Sequence, residues 1–194
     1  GLTHIRHLLV DTTEPEANTS GAITNLKSQL DVGIARANLA KDSTTLADVK
    51  NYLEHVVNVV EGSGGTNFGD LDGDGVTENP GDGYGTSPHA KNVQSHATLA
   101  ASAAASDTVI VASAGLVETA GKNTETWSNA ARDAAIKGLA ATTVDAAKVF
   151  VGPGADTVIS NLDAARNGFD ADADGTVELI TGEAGAKQAY VEGQ

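Results

Sequence analysis

Two short segments of the chain carry carboxylates at alternate positions, followed by a glycine. The segments read Asp70-Leu71-Asp72-Gly73-Asp74-Gly75 and Asp170-Ala171-Asp172-Ala173-Asp174-Gly175. Oxygen ligands of this kind suit Ca²⁺, which takes about 6–8 of them at about 2.3–2.6 Å. Three carboxylates this close repel one another unless a cation neutralises them. The spacing therefore predicts a calcium ion at each segment, and a solvated acidic turn is the alternative.

The EF-hand loop gives the acidic residues of the two segments candidate roles as ligands. In that loop, side chains at positions 1, 3 and 5, the carbonyl at 7 and an acid at 12 hold the ion, with glycine at 6. The candidate ligands are Asp70, Asp72, Asp74, the Val76 carbonyl and Glu78 in the first loop, and Asp170, Asp172, Asp174, the Thr176 carbonyl and Glu178 in the second. Position 12 is Gly81 or Thr181, so we expect the closing acids to be Asp82 and Glu183. This departure argues against a sensor EF-hand.

The two loops resemble the looser Asp-x-Asp-x-Asp-Gly loops of dockerin-like and other secreted calcium proteins. Further strings make the whole chain similar to a family of uncharacterised exported bacterial helical proteins. These strings are residues 3–9 (THIRHLL), 54–62 (EHVVNVVEG), 70–83, Gly182-Glu183 and Ala189-Tyr190. The resemblance implies export and a helical fold, and it carries no activity with it.

The histidines form a second set of possible metal ligands. His4 and His7 are three residues apart, His89 and His96 seven, and His55 borders the apolar face of its helix. Helices can bring such imidazoles together on a transition metal or a haem iron. We expect His4 and His7 to lie near a frayed terminus. His55 and His96 are therefore the pair that we select for a second metal or haem site.

Composition excludes several functional classes. With 12 Lys and Arg against 26 Asp and Glu, the net charge of −14 disfavours nucleic acid as a partner. The chain has no cysteine, which excludes disulfides and thiolate metal sites, and no apolar run approaches the length of a membrane span. It starts at Gly1 without methionine, so we expect a processed product. Weak calcium loops suit the calcium concentration outside cells, which favours a secreted or cell-surface location.

Alanine-rich segments with apolar residues three and four apart predict an all-α fold. We expect helices over residues 3–11, 20–41, 44–61, 88–105, 107–120, 123–141, 143–151 and around 158–165, with a strand at 109–111 as an alternative to helix there. Ser43 or Thr44 is expected to cap the third of these helices, and Asn123 or Thr124 the sixth. The architecture predicted is a helical bundle with two long EF-hand-like calcium loops, forming one domain over 1–194. Two degenerate halves, 1–88 and 89–194, are a further possibility, since each ends in an acidic loop.

Three functions fit these features, and none of them is enzymatic. The first is a secreted calcium-binding structural protein that self-associates into a homo-oligomer or filament. The second is a helical redox or metal-carrier protein that uses histidines. The third is a module that docks a partner in the presence of calcium. All three require the acidic loops to hold calcium. They differ in whether the protein also binds its own copies, a second metal or a different partner.

Overall fold

The computed structural model describes residues 2–12 and 20–194. This part of the chain contains eight α-helices and no strand, which confirms the all-α class for the described residues. The helices are α1 Leu2–Leu9, α2 Ala22–Asp42, α3 Leu46–Glu61, α4 Thr86–Ala103, α5 Thr108–Leu139, α6 Val144–Lys148, α7 Val158–Asn167 and α8 Ala186–Glu192. None of them combines the length and the apolar character that crossing a lipid bilayer requires.

Capping residues fix both ends of α3, the helix that leads into the first acidic loop. The Thr45 hydroxyl accepts a hydrogen bond from the Asp48 amide at 3.1 Å, so the residue that caps the helix is Thr45 and not the predicted Ser43 or Thr44. At the other end, Gly62 has a φ of 69° and its amide donates to the Asn58 carbonyl at 2.9 Å. Glycine adopts this left-handed conformation without strain, so the predicted end of the helix is confirmed.

The largest difference from the sequence prediction is α5. We expected two helices separated near residue 121, with Asn123 or Thr124 capping the second, whereas one helix runs from Thr108 to Leu139. Gly121 allows α4 to pass close by, because a Cβ atom there would lie 2.9 Å from the Gln94 Cγ atom. Glycine costs about 1 kcal/mol in a helix interior, and here it permits close packing instead of ending the helix.

The chain divides into two compact units, each assembled from separate segments. Unit 1 consists of Gly1–Ser28, Pro88–Thr126 and Ala164–Gln194, and unit 2 of Gln29–Ser87 and Trp127–Asp163. Helices α2, α5 and α7 contribute residues to both units. Each unit contains one of the two acidic loops.

The cores of the two units differ in composition. Unit 2 buries mainly branched side chains of α2, α3 and α7, among them Leu30, Leu53, Val56, Val60 and Leu162. Unit 1 buries Leu8, Ile23, Leu26, Val93 and Val117 together with many alanines, including Ala90, Ala97, Ala100, Ala120, Ala165 and Ala189. Small side chains let helices approach closely, whereas branched ones fill wider spaces. Both acidic loops are thus attached to well-buried helical surfaces.

Candidate functional site

The first acidic loop folds around its own aspartates. Asp70 accepts hydrogen bonds from the amides of Gly73 at 2.8 Å and Gly75 at 2.9 Å. The Asp72 carboxylate accepts from the Asp74 amide at 3.0 Å, and Asp74 accepts from Val76. Gly73 and Gly75 have φ angles of 85° and 92°, a region that side-chain-bearing residues rarely adopt. The glycines therefore let the loop turn so that its carboxylates accept hydrogen bonds from the loop's own amides.

The second loop repeats this arrangement closely. Asp170 accepts from the Gly175 amide at 2.9 Å, and Asp174 accepts from the amide of Thr176 at 2.9 Å and from its hydroxyl at 2.7 Å. The Thr176 hydroxyl lowers the pKa of Asp174 by donating this hydrogen bond. Ala173 occupies the position of Gly73 and also has a positive φ, 60°. The two loops share this positive φ although their sequences differ at this position.

A buried glutamate on α3 clamps the first loop. One oxygen of Glu54 accepts from the amides of Leu71 at 2.6 Å and Asp72 at 3.1 Å, and the other accepts from Glu78 at 2.9 Å. The Glu54 side chain is completely buried, and its carboxylate lies within 4.8 Å of ligand oxygens on Asp70 and Asp72. Sequence reasoning missed this residue. The signal was a charged side chain inside the apolar stripe of α3.

Glu183 clamps the second loop in the same way. Its oxygens accept from the Ala171 amide at 3.3 Å and from the Glu178 amide at 2.9 Å. The residue is 2% exposed, and it forms a possible metal-binding group with Asp172 and Glu178, all within 4.8 Å. Asp170, Asp172 and Asp174 form a second such group in this loop. The acid predicted to close the second loop therefore lies among its carboxylates.

Two asparagines on helices hold the loop backbones. The Asn58 amide donates to the carbonyls of Gly69 at 3.0 Å and Glu78 at 2.8 Å. Asn123 donates to the carbonyls of Ile180 at 2.8 Å and Ala184 at 3.0 Å, and it accepts from the Gly182 amide at 3.0 Å. The residue predicted to cap a helix thus fixes the end of the second loop.

Three acids predicted to be ligands of the first loop, Asp74, Glu78 and Asp82, lie outside its group of three carboxylates. Asp82 accepts from the Tyr84 amide at 2.9 Å, and its own amide donates to Gln29 at 3.0 Å. Glu78 contacts Asn51 and His55, and the Val76 amide donates to Asp74. In the second loop, the Thr176 amide and hydroxyl bind Asp174. The structure thus places Glu54, rather than Asp82, beside Asp70 and Asp72.

The two glutamates of the second loop interact electrostatically. A hydrogen bond between them raises the pKa of Glu178 above its ordinary value and lowers that of Glu183. The nearby charge of Asp174 also raises the pKa of Glu178. Two neighbouring carboxylates repel each other when both are ionised, so the pair tends to keep one proton. A bound cation would relieve the same repulsion.

The predicted histidine pair is divided between the two units. His55 belongs to unit 2, where its Nε2 lies 3.1 Å from a Glu78 oxygen. His96 belongs to unit 1, where it forms a possible metal-binding group with His4 and His7. His89 is fully buried on α4. The imidazoles expected near a frayed terminus are thus the ones that lie beside His96.

Comparison with known proteins adds no relative. Searches against protein-family models, curated proteins and solved structures each found no match for this chain. The resemblance to exported bacterial proteins therefore stays a prediction from the sequence. The candidate sites, rather than kinship, carry the argument about function.

Proposed function

We propose that this chain is a secreted calcium-binding structural protein. Each acidic loop binds one Ca²⁺, and the two ions make the loops rigid extensions of the helices that hold them. The protein acts through its shape and its contacts with other copies, and it is not an enzyme.

The observation that carries this proposal is a buried glutamate at each loop. Glu54 and Glu183 both accept hydrogen bonds from the amides of the second and ninth residues of their loops. Burying a carboxylate is costly unless hydrogen bonds or a cation compensate for its charge. Each buried acid lies in a group with two other acids of its loop, Asp70 and Asp72 for Glu54, and Asp172 and Glu178 for Glu183. Such a group concentrates negative charge where a cation would remove the repulsion.

The donor atoms of these groups favour calcium over a transition metal. The acidic groups offer only carboxylate oxygens, which are hard ligands. Calcium accepts irregular sets of oxygens, whereas Mg²⁺ demands a near-ideal octahedron at about 2.0–2.1 Å. Loops whose groups differ in membership, as these two do, suit the more tolerant ion. Asp70, Asp72 and Glu54 would hold it in the first loop, and Asp170, Asp172, Asp174, Glu178 and Glu183 would supply oxygens in the second.

Exposed apolar side chains on the second loop support self-association as the role of the rigid loops. Phe169 and Ile180 lie near the two ends of this loop and are 57% and 52% exposed. Apolar side chains held on a fixed backbone make better contact surfaces than the same side chains on a mobile one, because less conformational freedom is lost on binding. We therefore assign the calcium-ordered loops to contacts between copies.

Thermal unfolding with and without calcium tests the proposal. Binding to the folded state alone adds about 2.7 kcal/mol to the free energy of unfolding at a hundredfold excess over Kd. We expect Asp72→Asn and Asp172→Asn each to remove one such increment. Asp42→Asn is the matched control, because Asp42 is an exposed acid on α2, 3.8 Å from Lys41. A melting temperature that is the same in calcium and in EDTA would refute the proposal.

Particle size separates self-association from the docking of another protein. If copies associate, light scattering of the pure protein should rise with calcium and fall with EDTA. Phe169→Ser should reduce this effect without changing calcium affinity. A protein that binds calcium and stays monomeric at all concentrations would favour the calcium-dependent docking of a different partner.

A further inference from the structure

Three histidines of unit 1 lie together on two helices. His4 and His7 are three residues apart on α1, and His96 is on α4. One ring nitrogen from each histidine lies within 4.8 Å of the others. The ring centroids are 4.9 Å apart for His7 and His96, 5.6 Å for His4 and His96, and 6.0 Å for His4 and His7. Residues three apart on a helix share a face, so α1 presents both rings to α4.

We propose that His4, His7 and His96 bind a divalent transition-metal ion, with zinc as the best fit. This site is separate from the calcium loops and does not depend on them. It would link α1 to α4 through the metal and leave a fourth coordination position for water or another small ligand.

The distance between two of the nitrogens supports this assignment. The Nδ1 atoms of His4 and His96 lie 3.3 Å apart. Two nitrogens that each lie about 2.0–2.1 Å from a tetrahedral zinc are separated by about 3.3–3.4 Å. The same spacing also fits a hydrogen bond between neutral rings, in which one Nδ1 carries the proton. A hydrogen bond between His4 and His96 does not account for the His7 ring beside them, whereas a metal ion bound by all three does.

His7 supplies the second observation. Its Nδ1 atom is buried and has no hydrogen-bond partner within the described part of the chain. Leaving a buried polar atom unpaired costs about 1–3 kcal/mol. The ring is thus held beside His96 without the hydrogen bond that its Nδ1 requires. A metal ion at the group would give the three rings a common partner.

The chemistry of the group distinguishes it from the acidic loops. This group consists of imidazoles alone, which are preferred by zinc, copper and nickel and rejected by calcium. Three protein ligands with an open fourth position are typical of zinc sites that bind or activate a small molecule, whereas structural sites are closed by a fourth protein ligand. The group therefore fits a metal ion that keeps an exchangeable small ligand better than one that is closed by a fourth protein ligand.

A metal link would also stabilise a helix that is weak by itself. Helix α1 has only eight residues, and helices shorter than about 12–15 residues are marginal in isolation. Its end approaches Gly21 closely, because a Cβ atom at Gly21 would lie 2.3 Å from the Leu9 carbonyl carbon. A metal ion bound by His4, His7 and His96 would attach α1 to α4, and the contact with Gly21 holds the other end of α1.

Titration with Co²⁺ tests the site directly, because four-coordinate Co²⁺ absorbs visible light far more strongly than the hydrated ion. The metal-stripped protein is titrated in excess calcium, so that the acidic loops are already saturated. We expect one equivalent of Co²⁺ to give intense visible bands, and one equivalent of Zn²⁺ to abolish them. A spectrum that stays that of hydrated Co²⁺ throughout the titration would overturn the proposal.

Histidine variants locate the ion. His7→Gln and His96→Gln should each abolish the cobalt bands, while His55→Gln should leave them unchanged. His55 is the matched control because it lies in unit 2 beside Glu78. Circular dichroism shows whether each variant keeps its helices. If a variant loses them, the Co²⁺ titration of the wild-type protein still tests whether the site exists. Retention of the bands in folded His96→Gln, or their loss in His55→Gln, would contradict the assignment.

Discussion

Glu54 and Glu183 hold the two acidic loops with the same hydrogen bonds, although Glu54 precedes its loop in the chain and Glu183 follows its own. Both carboxylates are buried and accept the amide of the loop's ninth residue, Glu78 or Glu178. The two glutamates thus bind the same positions of their loops, although one comes before its loop in the sequence and the other after. We take this convergence on one buried carboxylate as the central feature of the two sites.

Replacing Glu54 should destabilise the protein even without calcium. Glu54→Gln places an NH₂ group where a carboxylate accepts amide protons, so at least one buried donor loses its partner. We expect the free energy of unfolding in EDTA to fall by about 1–3 kcal/mol. Denaturant unfolding measures this change, and calcium affinity of the first loop should fall as well.

The matched control for Glu54 is Glu118→Gln. Glu118 pairs with Lys122 on the exposed surface of α5, with a nitrogen–oxygen distance of 2.6 Å. Surface pairs of this kind contribute about 0.2–1 kcal/mol. If the two variants were equally stable and bound calcium equally well, Glu54 would have no special role.

Asn123 should control the closing end of the second loop. In Asn123→Ala, the carbonyls of Ile180 and Ala184 and the Gly182 amide lose their side-chain partner. We expect faster hydrogen exchange over residues 180–184, because these bonds no longer oppose local opening. Thr126→Ala, at an exposed position of the same helix, should leave this exchange unchanged. Equal exchange in both variants would show that other contacts hold the segment.

Gly75 and Gly175 should both resist replacement by alanine. Their φ angles are 92° and 96°, in the left-handed region. A side chain in that region costs about 1–2 kcal/mol, so each variant should unfold more easily and bind calcium more weakly. Gly64→Ala is the control, because Gly64 has open space around it and no positive φ. Equal melting temperatures for Gly75→Ala and Gly64→Ala would contradict the loop geometry.

The glutamate pair of the second loop predicts how stability in EDTA depends on pH. The raised pKa of Glu178 means that its contribution is complete below the ordinary glutamate pKa and is lost as pH rises through the raised value. The lowered pKa of Glu183 has the opposite effect, and its contribution is lost as pH falls through the lowered value. We therefore expect stability to decrease with pH just above the ordinary glutamate pKa, on account of Glu178.

Glu178→Gln tests the sign of this dependence. The variant cannot ionise at this position, so the decrease above the ordinary glutamate pKa should become shallower. Urea unfolding at several pH values in EDTA measures the slope. A slope unchanged by the substitution, or one that increases, would show that the pair does not share a proton in the folded state.

Local sequence signals predicted most helices because the determinants are themselves local. Thr45, Gly62 and Thr143 act within one turn of a helix end, and the apolar stripe of α2 follows from its spacing. The same logic was wrong at Asn123 and Thr124, which are good caps by type. Asn123 is bound instead to a loop far away in sequence, and no local pattern indicates such a contact. Helix α8 was missed because it is short and begins after Gly185, which has no side chain that could indicate a cap.

The sequence predicted the two acidic loops, but it did not predict which residues from distant segments contact them. Asp-x-Asp-x-Asp-Gly fixes the spacing of the carboxylates, and the glycine at its sixth position adopts a positive φ in both loops. The clamp at Glu54 lies on α3, before the loop, while we looked for a closing acid after it. His96 shows the same limit, since its neighbours His4 and His7 come from a different segment of unit 1. Contacts between distant segments require the fold.

Isothermal titration of the metal-stripped protein with Ca²⁺ tests the central claim most directly. The account predicts two calcium ions per chain for the wild type, and one each for Asp72→Asn and Asp172→Asn. The control variant Asp42→Asn should still bind two. If the wild-type chain takes up no calcium at millimolar concentration, the acidic loops are solvated turns and the account is wrong.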